Sequence, residues 1–411
     1  MNENKRRTFL RSFGLGLGAL ATGPITAASS QRLREVAPAQ RADAADALDS
    51  IKVVDVKFTT LEFPKATPLT WNAIKRSGGK KPKVTYMELI TDAGITGVCI
   101  PKGSRDTTRS FARKIQGLNL FHTEQVWEHM YYHNRKPVAK GKEIHSIGSV
   151  DLAIWDVIGK ALNMPVHKVL GTYREEIPVY AAGGYYAEGK GIPELVAEME
   201  GYVAEGYKLV KMKVGALEAR EDAARVRAVA GALGNSARIM VDANNGYRSA
   251  YEAIRFGRMV EDLDLYWFEE PVAPDDWRGN AECRDELDIP IVAGENEYTR
   301  WGARDLVENH ACDIINMDTI KAGGITEYRK IAALASAYHI PVAPHGFAHM
   351  NIHVVASTAN ALVLETYPAK ARDFNPALPA FPVKDGMIEA PTAAGLGMEI
   401  DPALVKLYKV G

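Results

Sequence analysis

Cysteine is scarce in this sequence, with three residues among 411: Cys99, Cys283 and Cys312. They are far apart and odd in number. That excludes a disulfide framework, and no CxxC or zinc spacing is present. Their apolar surroundings mark them as reduced core residues. An excess of charge is also missing. The net charge is -1 at pH 7, which argues against a nucleic-acid binder or a polybasic membrane protein. No apolar run is long enough for a stable membrane span. No GxGxxG follows an early strand, so the usual phosphate cradle of a dinucleotide-binding sheet is absent. What remains is 46% hydrophobic and 25% charged, ordinary for a globular chain of two-domain length.

The N-terminus differs from the rest. Lys5-Arg6-Arg7-Thr8-Phe9-Leu10-Arg11 precedes a short, glycine-rich apolar run from Ser12 to Leu20, and small residues follow through Ala27 and Ala28. This resembles a twin-arginine export signal, the alternative being a basic tail. Residues 1–49 are expected to be signal and linker. The mature protein would then be periplasmic and exported folded, which suits a chain that must first acquire a metal.

From Ile51 to Leu61 apolar and polar positions alternate, as in a half-buried strand. Val84–Ile90 and Gly94–Ile100 flank Thr91-Asp92-Ala93-Gly94, a hairpin turn. Between these strands lies a polar loop, Phe63 to Lys83, with Trp71, Arg76, Lys80, Lys81 and Lys83. Loops of this length tend to be lids or binding loops, and this one, with Lys102–Arg109 after the second hairpin, is expected to close over the site. Helical periodicity follows over Thr107–Ile115, Glu124–Tyr132 and His145–Ala161. Residues 50–175 are expected to form an α+β domain.

A different rhythm begins at Ile177. Short apolar runs at 178–182, 208–214, 238–242, 266–270, 290–293, 312–317, 340–343 and 361–364 alternate with spans able to hold helices. Near-continuous apolar strands alternating with helices predict a parallel sheet buried on both faces. Eight units over residues 176–368 fit a closed (β/α) barrel better than an open doubly wound sheet. Residues 369–411 are expected to return to the first domain.

Polar residues gather where these strands end. Lys211 and Lys213 share one face of the second strand by their i, i+2 spacing. Alone, the pair reads more readily as a surface strand edge. Mutual repulsion should depress at least one lysine pKa and make a base of it. The third, fourth and fifth strands end in Asp242-Ala243-Asn244, Glu269-Glu270-Pro271 and Gly294-Glu295-Asn296. Each acid alone is an ordinary strand-end cap. Three on adjacent strands, converging on one barrel mouth, suit a hard divalent cation such as Mg²⁺ with positions left for water or substrate. The sixth strand adds Asp318, the seventh His345 and the eighth Glu365. Asp318 would hold the imidazole in one tautomer. His349 and His353 belong to the next helix and are not counted as ligands.

Taken together, these motifs resemble the enolase superfamily, mandelate racemase subgroup, from about residue 51 onward. Thr91–Gly97, Ser149–Trp155, Gly159–Pro165 and Gly395–Asp401 resemble its other signatures. The resemblance implies a modified (β/α)7β TIM-like barrel under an α+β capping domain. It implies Asp242, Glu269 and Glu295 as Mg²⁺ ligands. Lys213 would be an acid/base, with Lys211 its electrostatic partner near the substrate carboxylate. Asp318 and His345 would form the opposing dyad. A protonated Glu365 would hydrogen-bond the charging carboxylate oxygen, and Asn244 would contact substrate. The implied chemistry is proton abstraction beside the carboxylate of a small-molecule sugar acid. Dehydration to a 2-keto-3-deoxy acid is favoured. Racemisation, epimerisation and cycloisomerisation use the same enediolate. A rival from another class, a sugar-acid binding protein, would have no use for a base on each face. Which sugar acid, and whether the chain forms a homo-oligomer, stay open.

Overall fold

The computed structural model describes residues 50–132, 140–368, 376–377 and 380–410. The expected export signal and linker lie outside the described residues.

The chain starts with five strands: β1 (Val53–Glu62), β2 (Thr70–Trp71), β3 (Arg76–Ser77), β4 (Lys83–Thr91) and β5 (Thr96–Cys99). Four helices follow: α1 (Arg105–Lys114), α2 (Thr123–Tyr131), α3 (Lys142–Ala161) and α4 (Val166–Leu170). Strands β1, β4 and β5 form an antiparallel sheet in that order. The β4–β5 turn is the expected Thr91–Gly94, with Gly94 at φ 72°. Inside the polar loop, β2 and β3 make a small hairpin. The sequence marks this stretch as loop. Its order is tertiary: Trp71 exchanges backbone hydrogen bonds of 2.9 and 3.0 Å with Tyr186.

Helix α3 is buried nearly all round, from Ser146 to Gly159 without a break. The sequence marks only one apolar side. A helix buried on both flanks must be small or apolar everywhere. Its two buried aspartates are both partnered. Asp151 accepts from Thr326 N at 3.0 Å and Thr326 Oγ1 at 2.5 Å. Asp156 accepts from Val98 N at 2.7 Å and Leu396 N at 2.6 Å, which ties the helix to the hairpin and to the tail. Gly395 sits at φ 72°, and a Cβ there would lie 2.1 Å from Asp156 Oδ1, so no other residue fits.

The barrel runs β6 (Glu176–Ala182), α5 (Ile192–Ala204), β7 (Leu209–Lys213), α6 (Ala219–Leu233), β8 (Arg238–Asp242), α7 (Ala250–Arg258), β9 (Trp267–Glu269), α8 (Trp277–Glu286), β10 (Ile291–Ala293), α9 (Thr299–Glu308) and β11 (Ile314–Ile315). Then come α10 (Thr319–Ala322), α11 (Ile325–Ala337), α12 (Ala348–Ser357) and β12 (Leu364–Thr366). The parallel order is β11-β10-β9-β8-β7-β6-β12. Bridges Ile315–Val342 and Val342–Ala361 close the ring, so all eight expected strand positions are used. The seventh shrinks to Val342 because Pro341 and Pro344 flank it and cannot donate to a ladder. Inside, Tyr180, Met240, Trp267, Val292, Ile314, Ala343 and Val363 pack into an apolar floor. The fold is the (β/α)7β barrel with a capping domain that the sequence implies.

The tail does more than return to the first sheet. Strand β13 (Met387–Glu389) first pairs antiparallel with β6 of the barrel. Only then does α13 (Pro402–Tyr408) reach β1, through the bridge Leu61–Lys409 and the Phe63–Tyr408 ring contact at 5.3 Å.

Candidate active site

Strand alternation points Lys211 and Lys213 into the barrel while Val210 and Met212 pack outward. In register, Lys213 stands opposite Asp242, and Asp242 opposite Glu269. Lys213 Nζ lies 2.5 Å from Asp242 Oδ2. Lys211 Nζ lies 2.9 Å from Glu269 Oε2, 3.1 Å from Glu365 Oε1 and 3.6 Å from Asp242 Oδ2, and donates to Tyr180 Oη at 3.2 Å. The two lysine residues are 0% and 4% exposed, which excludes the surface-edge alternative.

Their charge state reverses the expectation. Neither lysine pKa is depressed. Burial pulls both down, but Glu269 and Glu365 around Lys211, and Asp242 beside Lys213, outweigh it and leave both raised. The repulsion argument weighed lysine against lysine and omitted the carboxylates facing them. Glu365 also differs from the protonated donor expected. Burial pushes it up, yet Lys211, His345 and the Gly346 N–H prevail and hold it down at about 2. It accepts from Gly346 N at 2.6 Å.

Asp242, Glu269 and Glu295 lie on one side of the mouth. Glu269 Oε1 accepts from Asn316 Nδ2 at 2.8 Å, and Asn316 Oδ1 accepts from Glu295 N at 3.0 Å. Among the described residues no three acidic, histidine or cysteine side chains stand together at metal-binding spacing. The lysines and His345 hold the carboxylates instead. The chemistry of the set still fits a hard cation, since all its donors are carboxylate oxygens. Burial together with Asp242, Glu295 and Glu365 pushes the Glu269 carboxyl up to about 7, against the pull of Lys211. Glu270 is raised as well, by burial and by Glu295 and Asp242. The lysines therefore leave negative charge uncompensated.

Asp318 caps α10, its Oδ1 accepting from Ile320 N at 2.9 Å and Lys321 N at 3.0 Å. Its Oδ2 faces His345 Nδ1 at 3.3 Å and Lys102 Nζ at 2.6 Å. His345 Nε2 reaches Glu295 Oε2 at 3.0 Å. Burial lowers the imidazole pKa, but Glu295, Glu365 and Asp318 raise it further, so it sits above its usual value. Burial likewise opposes the low Asp318 carboxyl, and Lys102 and His345 win. Asn244, at φ 45°, donates from its backbone N to Asp242 Oδ1 at 2.8 Å.

All nine residues singled out by sequence thus line one mouth. Sequence reading missed Asn316, Lys321 and Asn72. Asn316 shares a strand face with Asp318 by i, i+2 spacing, a signal that could have found it. Lys321 donates to Glu295 O at 2.9 Å, and Asn72 Nδ2 donates to Asn244 Oδ1 at 2.8 Å. Of the basic loop residues expected over the mouth, Lys102 arrives at Asp318, whereas three others are held elsewhere. Arg105 binds Thr60 and Thr85, Arg76 lies over Trp71 at 5.1 Å, and Lys83 pairs with Glu62 at 2.9 Å. His353 packs on His167 and His349 on Phe381, away from these ligands.

Known proteins resemble this chain. The chain is 34% identical over 293 residues to arabinonate dehydratase of Saccharolobus solfataricus, covering 70% of this chain and 78% of that protein. It is 33% identical over 285 residues to 3,6-anhydro-alpha-L-galactonate cycloisomerase of Streptomyces coelicolor, covering 69% and 78%. The solved structure of L-talarate dehydratase from Polaromonas sp. JS666, complexed with Mg and L-glucarate, matches with TM-score 0.76 at 26% identity, covering 88% of this chain and 98% of that one. Residues 57–171 match the mandelate racemase / muconate lactonizing enzyme N-terminal domain and residues 194–404 the enolase C-terminal domain-like family, so the chain belongs to the enolase superfamily and is an enzyme of its mandelate racemase / muconate lactonizing type.

Proposed function

We propose that the protein is a Mg²⁺-dependent dehydratase that converts a sugar acid to a 2-keto-3-deoxy acid. The observation that carries this reading is the pair of proton-transfer groups flanking one carboxylate set. Lys213 meets it at Asp242 and His345 meets it at Glu295. Asp242, Glu269 and Glu295 would hold the cation, which when bound neutralises charge building on the substrate carboxylate. With Asp242 so engaged, Lys213 would lose the partner that keeps it charged and could serve as the neutral base.

Lys213 Nζ, once it has given up its own proton, takes the proton from the carbon next to the carboxylate, and the C–H electrons move into an enediolate. Lys211 offsets part of that charge. His345, held by Asp318, gives its Nε2 proton to the 3-hydroxyl as the C3–O bond breaks and water leaves. The resulting enol becomes the 2-keto acid. Glu365, ionised at rest, orients Lys211 and the Gly346 N–H. The arabinonate dehydratase relative supports dehydration. The cycloisomerase relative supports a second reading, in which the same enediolate closes or opens a ring. A panel of acid sugars in D₂O, with Mg²⁺ and with excess chelator, separates the two. The dehydratase reading expects a keto product carrying deuterium at C3, and its formation is abolished by chelator. Deuteration with isomer and no keto acid would favour the second reading. Export through the twin-arginine pathway is part of the proposal. A mature N-terminus at Met1 in wild-type cells would refute it.

A further inference from the structure

The Asn72 amide can be oriented from its surroundings. Its Oδ1 accepts from Ile74 N at 3.1 Å and Lys75 N at 2.8 Å. Backbone N–H groups accept nothing, so Nδ2 must face the other way. There it donates to Asn244 Oδ1 at 2.8 Å, across 172 residues of chain. That fixes the second amide in turn, leaving Asn244 Nδ2 beside Asp242 Oδ2 at 3.4 Å. The strap carrying Asn72 is seated for this contact. Trp71 pairs by backbone with Tyr186 and stacks on its ring at 6.4 Å. Ala73 lies over Gly246, where a Cβ would come within 2.4 Å of its methyl.

We propose that Asn72 is a positioning residue: the capping strap locks the Asn244 amide so that its NH₂, not its oxygen, faces Asp242 and the substrate. The inference deepens the proposed function, since it rests on Asn244 meeting the substrate there. An oxygen in that place would repel both Asp242 and an anionic acid. The strap is thereby coupled to the chemistry by one amide orientation.

Replacing Asn72 by Asp tests this directly. The new carboxylate still accepts from Ile74 and Lys75, but its other oxygen faces Asn244 Oδ1, so the Asn244 amide must turn over or the contact must break. Asn72→Ala removes the lock without reversing it. The expected losses in kcat/KM are about 10-fold for N72A and about 100-fold for N72D, with KM rising. In an Asn244→Ala background N72D should add almost nothing, because its effect runs through that amide. A purely structural strap predicts the reverse order, since Asp is nearly isosteric. N72D within twofold of wild type, equal to N72A, or fully additive with N244A would overturn the inference. If wild type turns over no acid sugar, the proposed function falls instead. Neutron diffraction of resting N72D then decides the amide: Nδ2 of Asn244 facing residue 72 supports the lock, and Oδ1 still facing it refutes it.

Discussion

The two flanks of the mouth are built differently. On the lysine flank, Lys211 and Lys213 stand on one regular strand, fully buried, with carboxylates supplied by the register of the next two strands. On the histidine flank nothing stands on a regular ladder. His345 follows a single bridge residue between two prolines, Asp318 caps a four-residue helix, and Lys102 arrives from the capping region. The His345 side chain is 21% exposed, against 1% for Lys211 and 6% for Lys213. The first flank is pre-organised by the sheet. The second depends on loops and on a distant segment.

Removing Lys213 should have the largest effect. Lys213→Ala is expected to stop both α-deuteration and keto-acid formation, with rate losses of at least about 10³ to 10⁴. Proton NMR in D₂O reads the first and a keto-acid assay the second. Exchange retained from every accepted substrate would mean that the lysine flank does not take the proton.

Breaking the other flank should separate the two readouts. His345→Asn is expected to block loss of the 3-hydroxyl by about 10² or more while slow α-exchange through Lys213 continues. Equal loss of both signals would show that the flanks act as one unit.

A smaller effect sharpens the contrast in stability. The raised His345 pKa means that the native state binds a proton the unfolded chain has lost. Its contribution is therefore full below the unfolded value, near 6.5, and is lost as pH rises through the higher folded value. Both lysines are shifted upward from 10.5 and stay charged across that window. In metal-free protein, His345→Asn should flatten the fall of Tm with pH just above neutrality. An unchanged slope would mean that the imidazole carries no charge there.

Much of the barrel and its floor was legible because strand periodicity is local. Lys211-Met212-Lys213 puts both lysines on one face by spacing alone, and Asp242, Glu269 and Glu295 mark strand ends by the motifs that follow them. The same locality hid what crosses the chain. Asn72 lies 172 residues from Asn244 and Lys102 lies 216 from Asp318, and neither stands in a pattern that announces a partner. Charge states were hidden for the same reason. Two neighbouring lysines predict repulsion, and only the fold reveals that each faces acids strong enough to reverse the shift.

The sequence by itself therefore determined the barrel architecture, since periodicity survives without coordinates, and its motifs carried the family resemblance that implied most of the groups at the mouth. Tertiary structure alone decided which groups hold each other: Lys213 on Asp242, Glu365 ionised against Lys211, the strap on Asn244. Those pairings depend on distances of a few ångströms across the barrel, and Coulombic and hydrogen-bond energies fall away too steeply with distance for chain order to encode them.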